Sequence, residues 1–88
     1  MTLEEIDNYI NKKINYNENI IIFTFYELRV KLNLTEEETI NFIQLTKIRL
    51  ENLNYKVYLT GEKYIYSNLE CIVKDNELLV AIKRNSII

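Results

Sequence analysis

Histidine, proline and tryptophan are absent from this 88-residue chain, which holds one glycine, Gly61, and one cysteine, Cys71. Without histidine there is no imidazole to serve as general base or metal ligand. A lone cysteine excludes an internal disulfide and a four-cysteine zinc site, and it fits a reducing compartment. A lone glycine excludes the glycine-rich loops that cradle phosphates. No apolar run approaches the ~20 residues of a membrane span, and no charged-then-apolar leader is visible. These absences lead to the expectation of a soluble, cytoplasmic protein of one domain, residues 1–88, that is not an enzyme and uses no cofactor or metal. Cys71 lies in a strand-like segment and reads as a small core residue. Glu36, Glu37 and Glu38 do not make a metal site, because adjacent helical residues diverge and a first helical turn repels cations.

The chain does have a repeated start signal. Thr2-Leu3-Glu4-Glu5, Thr24-Phe25-Tyr26-Glu27 and Thr35-Glu36-Glu37-Glu38 each read Thr-x-x-Glu. In this capping box the threonine oxygen accepts a first-turn amide, and the glutamate reaches back to the threonine amide. Three helices are therefore expected. The first runs from Leu3 to about Asn15, with Leu3, Ile6, Ile10 and Ile14 on one face. Ile20 to Phe23 is short and β-branched, and reads as a buried strand. The second helix covers about Phe25 to Leu32, with Phe23 stapled to Leu28 and Asn33 ending it in the left-handed conformation. The third covers about Glu36 to Leu53. Its main apolar stripe is Thr39, Phe42, Ile43, Thr46, Leu50 and Leu53. A second stripe, Leu45 and Ile48, needs cover from strands or from another subunit.

From Tyr55 the apolar period changes to two, the signature of strands. Tyr55 to Leu59 is followed by a turn at Thr60-Gly61-Glu62-Lys63, a short strand at Tyr64-Ile65-Tyr66 and a polar link at Ser67-Asn68. Leu69–Lys74 and Glu77–Lys83 read as a hairpin with Asp75-Asn76 as its two-residue turn. Arg84 to Ile88 is a tail.

Net charge is −2, which argues against a nucleic-acid partner, but it is unevenly spread. Residues 1–38 hold eight acids against four bases, and residues 39–88 five against seven. Much of the N-terminal acid sits in first helical turns, where the helix dipole favours it. The abundance of Ile, Asn, Lys and Tyr points to AT-rich coding and bears on source more than on function.

The segment from Phe23 to Val57 resembles a winged helix-turn-helix: strand, helix, the Asn33-Leu34-Thr35 turn, a longer helix, then Asn54-Tyr55 entering the strands where many members have glycine and an aromatic. The resemblance implies an α+β winged helix-turn-helix with three helices, a short strand between the first two and a C-terminal antiparallel hairpin or meander. It also implies a non-catalytic duplex DNA-binding protein. In that family the third helix enters the major groove, so Gln44 and Lys47 are candidate base contacts, although Glu37 and Glu51 flank them. Lys63, Lys74, Asn76, Lys83 and Arg84 are candidate backbone contacts from the hairpins; strand-end lysines also guard against edge pairing. Tyr55, Tyr58, Tyr64 and Tyr66, interleaved with Lys56 and Lys63, could stack bases or serve as ordinary strand residues. Leu45 and Ile48 are the candidate dimer seam of a homodimer. By analogy, small AT-biased members include transcriptional regulators and conjugative relaxosome accessory proteins that mark a transfer origin for a relaxase. A minority of winged helices bind proteins and no DNA, and that reading stands as the alternative.

Overall fold

A computed structural model describes residues 2–84 of the chain. Residues 85–88, the greater part of the expected tail, lie outside the described residues. The fold is α+β. Helix α1 spans Leu3–Tyr16, strand β1 Ile20–Thr24, a short π-helix Glu27–Lys31 and helix α2 Glu36–Asn52. Four strands complete it: β2 Tyr55–Leu59, β3 Lys63–Tyr66, β4 Leu69–Ile72 and β5 Glu77–Lys83.

All three capping boxes form. Thr2 with Glu5 and Thr35 with Glu38 close reciprocal pairs at α1 and α2. At the middle box the Thr24 amide donates to Glu27 at 2.7 Å and the Glu27 amide to the Thr24 hydroxyl at 3.3 Å. The segment that this box opens is not the α-helix expected from Phe25 to Leu32. After one short helical stretch the chain widens, and the Leu32 amide donates to the Glu27 carbonyl five residues back. The wider turn lets the adjacent residues Glu27 and Leu28 both turn inward and become buried. Asn33, at φ 53°, ends the segment, and the Leu34 amide returns to the Leu28 carbonyl in the closing bond of a Schellman turn.

The strands correct the expected pairing. β5 does not form a hairpin with β4; it lies in the middle of a three-stranded antiparallel sheet in the order β1-β5-β2. Ile21 faces Ala81 on one side and Val57 faces Ala81 on the other. The physical reason is burial. Leu78-Leu79-Val80-Ala81 is a continuous apolar run, and Leu79, Val80 and Ala81 are fully buried, as a central strand covered on both faces requires. β4 pairs instead with β3, and Ser67-Asn68, at φ 53° and 65°, is the two-residue hairpin turn. The Gly61 amide donates to the Val73 carbonyl and the Val73 amide to the Glu62 carbonyl. β2–β3 and β4–β5 are thus the two arms of one bent ribbon. Its base lies in the sheet, and its outer half stands beyond a hinge at Thr60–Glu62 and Val73–Asn76.

The helices pack on one sheet face. Ile6 and Ile10 of α1, Leu28, and Phe42 and Leu50 of α2 meet Ile21, Phe23, Tyr55, Leu79 and Ala81. Phe23 and Phe42 pack edge to face at 5.6 Å. Leu53, expected on the buried stripe of α2, is exposed because the helix ends at Asn52 and the chain turns through Asn54 at φ 72°. Arg49 grips Asp7 through both carboxylate oxygens and fastens α2 to α1. Among the described residues no helix is long and apolar enough to cross a membrane.

Candidate functional site

The cluster of ionisable groups nearest the core is Tyr9, Lys13 and Glu27, between α1, β1 and the π-helix. Tyr9 donates to Glu27 Oε2 at 2.6 Å, Lys13 Nζ lies 2.7 Å from the same oxygen and 2.9 Å from Oε1, and Oε1 also accepts the Thr24 amide. Lys13 donates further to the Ile22 carbonyl at 2.8 Å and lies over the Phe23 ring. Burial pushes the Glu27 carboxyl up, but bonds from Lys13, Tyr9 and Thr24 outweigh it and leave the group below its ordinary value. Burial and then the Glu27 carboxylate push the Tyr9 phenol up. Both oxygens of Glu27 are already occupied by partners within the chain. This is a structural clasp with no valence left for a substrate.

Glu27 belongs to a wider pattern. Glu5, Glu27, Glu38, Glu62 and Glu77 each accept the backbone amide of the residue three positions earlier, namely Thr2, Thr24, Thr35, Leu59 and Lys74. Three of these are the capping boxes. The other two secure the hinge of the ribbon.

The residues singled out as candidate contacts fall in three places. Gln44 and Lys47 lie on α2. Gln44 is exposed and borders a groove of about 390 Å³ with Thr39, Ile40, Ile43, Leu59 and Thr60. Lys63 and Lys74 flank the ribbon hinge, where Lys63 lies 3.9 Å from Glu70. Asn76 belongs there too, but its carbonyl is held by the Phe25 amide at 2.9 Å. Lys83 and Arg84 sit at the opposite end of β5. Their amides bond to the Asn19 and Asn54 carbonyls, and the Lys83 ammonium lies 5.2 Å from the centre of the Tyr55 ring.

Lys56 reaches the same end of the sheet but on the opposite face from Lys83, with its ammonium over the Tyr58 ring. It pairs with Ile82 on the rung next to Tyr55 and Lys83. Only the β2–β5 register brings it there; the alternation of lysine and tyrosine along β2 holds no hint of this neighbour. Lys56, Lys74, Lys83 and Arg84 make no ion pair with a carboxylate among the described residues. The tyrosines do not form a stacking platform. Tyr55 is buried with its hydroxyl on the Glu18 carbonyl at 2.6 Å, and Tyr58 packs on Tyr64 at 5.7 Å.

The second stripe of α2 is not covered by strands. Ile48 is 55% exposed and Leu45 37%, and Leu45 lies on the side of the helix that faces Ile6 and Leu34. Ile40, which belongs to neither apolar stripe, is 53% exposed. Cys71 is half-buried on the outer half of the ribbon and does not reach the core cluster. Among the described residues no three side chains of metal-ligating type come together. No protein-family model matches the chain, and neither the curated proteins nor the solved structures provide a match.

Proposed function

We propose that the chain is a winged-helix domain that binds duplex DNA without catalysing a reaction. It holds the phosphate backbone through cations at the two ends of the β2–β5 ribbon, Lys56, Lys83 and Arg84 at one end and Lys74 with Lys63 at the hinge. The observation that carries the reading is the sheet itself: a last strand inserted between β1 and β2, a long ribbon hinged beside α2, and, among the described residues, cations without an ion-paired carboxylate at both ends, Lys56, Lys83 and Arg84 at one and Lys74 at the other. The paired segment from the Tyr55–Lys83 rung to the Leu59–Leu79 rung is about 13 Å long, on the scale of the ~12 Å width of a major groove, with Lys83 on its first rung and Lys63 and Lys74 beyond its last. Phosphates on the two sides of a groove are then within reach of long side chains. The acidic charge counts less than its formal value, because five glutamates are turned toward the chain's own amides.

Gln44 and Lys47 have no base-reading role in this proposal. They stand among Glu37, Ile40, Ile48 and Glu51, a face whose carboxylates phosphate would repel. Affinity therefore comes mainly from the backbone, with AT preference arising from groove shape. The biological setting we propose is a mobile element, as a transcriptional regulator or as an accessory of a transfer origin working beside a relaxase.

Fluorescence anisotropy with an AT-rich duplex at two salt concentrations tests the proposal. Each phosphate-contacting cation removed (Lys56→Ala, Lys83→Ala, Arg84→Ala) should lower the salt slope by about one unit. Absence of binding at low salt overturns it. A second reading, a protein-interaction module, is favoured by the apolar outer half of the ribbon, where Ile65 and Leu69 are 67% and 66% exposed. It predicts no DNA binding and loss of a protein contact in Leu69→Ser.

A further inference from the structure

α2 turns its back on the core with an ordered set of residues. Glu37, Ile40, Gln44, Ile48 and Glu51 succeed one another at helical spacing, and at about 100° per residue they fall within an arc of about 80°. Core-facing Thr39, Phe42, Thr46 and Leu50 occupy the other side. The outer set has mirror order about its middle: glutamate, isoleucine, glutamine, isoleucine, glutamate. Ile40 and Ile48 are both more than half exposed, one turn on either side of Gln44.

We propose that two copies of this chain dock through this face, with the α2 helices antiparallel about a two-fold axis passing beside Gln44. A two-fold contact must be self-complementary, so a residue a given distance before the axis meets the residue the same distance after it in the other copy. With the axis at Gln44, Ile40 meets Ile48 of the second copy twice over, and the two Gln44 amides, each both donor and acceptor, meet one another. A helix facing an unrelated protein has no need of such mirror order. Glu37 and Glu51 meet at the wet ends of the seam. Lys47, on the flank of the same face, supplies one cation at each end against two carboxylates.

The dimer therefore carries residual like-charge repulsion at its ends, and added salt should tighten it by screening. This is opposite in sign to the salt response of DNA binding, and the seam can be tested without DNA. Failure of the DNA reading and failure of this one are thus separate results. The seam also differs from the Leu45–Ile48 stripe read from the sequence, since Leu45 stands about 100° around the helix from Gln44.

Sedimentation equilibrium of the full chain should give twice the 10.6 kDa chain mass, with dissociation weakened at higher salt. Ile48→Glu should raise the dissociation constant at least about tenfold, with an unchanged circular dichroism spectrum because Ile48 contributes little to the core. Leu45→Glu should leave it unchanged. In a Cys71→Ser background, oxidised Gln44→Cys should cross-link to a covalent dimer, whereas Asn11→Cys on the exposed face of α1 should not. A chain that stays monomeric at all concentrations overturns the proposal. So does a dimer that Leu45→Glu breaks as readily as Ile48→Glu, or one that Gln44→Cys fails to cross-link.

Discussion

The two halves of the ribbon are made from similar residues, alternating aliphatic and aromatic side chains with lysine and glutamate, yet they live in different surroundings. At its base Leu79, Val80 and Ala81 are buried in the middle strand between two neighbours, with Leu79 and Ala81 beneath the helices. Beyond the hinge, β3 and β4 hydrogen-bond only to each other, Tyr64 alone packs back on Tyr58 of the base, and Ile65, Leu69 and Ile72 face solvent. Backbone pairing continues through both halves. A ladder holds strands in register, but only a covering layer turns an apolar side chain into stability, and a lone two-stranded hairpin is marginal in water. The base is scaffold, and the outer half is surface available for function.

Leu79→Ala should show the contrast most strongly. It removes a fully buried side chain from the middle strand and should cost about 3 kcal/mol or more in urea unfolding. Glu27→Gln comes next, at about 2 kcal/mol, since it strands Lys13 at the flank of β1, the strand that covers β5 on its other side. The carboxyl is held below its ordinary value in the folded chain. Its contribution is therefore present above the unfolded carboxylate range and is lost as pH falls through the folded value. The difference between wild type and Glu27→Gln should shrink when unfolding measured near neutral pH is repeated at about pH 4.

Gly61→Ala probes the hinge. A Cβ would meet nothing there, but φ is +90°, so the cost is conformational and should be about 1 kcal/mol. The smallest effect belongs to the outer half. Ile65→Ser with Leu69→Ser should change stability by no more than about 0.5 kcal/mol, read from the same urea midpoints. A drop as large as that of Leu79→Ala would show that the outer half is scaffold after all.

Features encoded within four or five residues were legible in the sequence. The capping boxes located the helix starts because a threonine and a glutamate three apart complete the contact by themselves. The switch from helical to alternating period located β2, and the spacing of Ile6 and Ile10 located the buried face of α1. Partnerships between distant segments were not legible. Nothing local says that β5 is covered on both sides, and its neighbour in sequence, β4, was the natural partner to expect. The error in pairing carried over to the site, since Lys56 comes to the same end of the sheet as Lys83 only when β2 lies along β5. The π-helix was hidden for a related reason. Burying both Glu27 and Leu28 requires the clasp from Tyr9 and Lys13, which lie a helix and a strand away.

The central position of β5 bears on how the chain reaches its fold. The strand that both β1 and β2 need is the last of the five to leave the ribosome. Until residues 77–83 emerge, β1 and β2 have no strand between them and the inner faces of α1 and α2 have no floor. Folding must therefore await nearly the whole of the described chain and then close the contact between β1 and β5 across more than fifty residues, a loop whose entropy slows the step. A nascent chain arrested before β5 should be as sensitive to protease as an unfolded one, and release of the final strand should confer protection in a single transition.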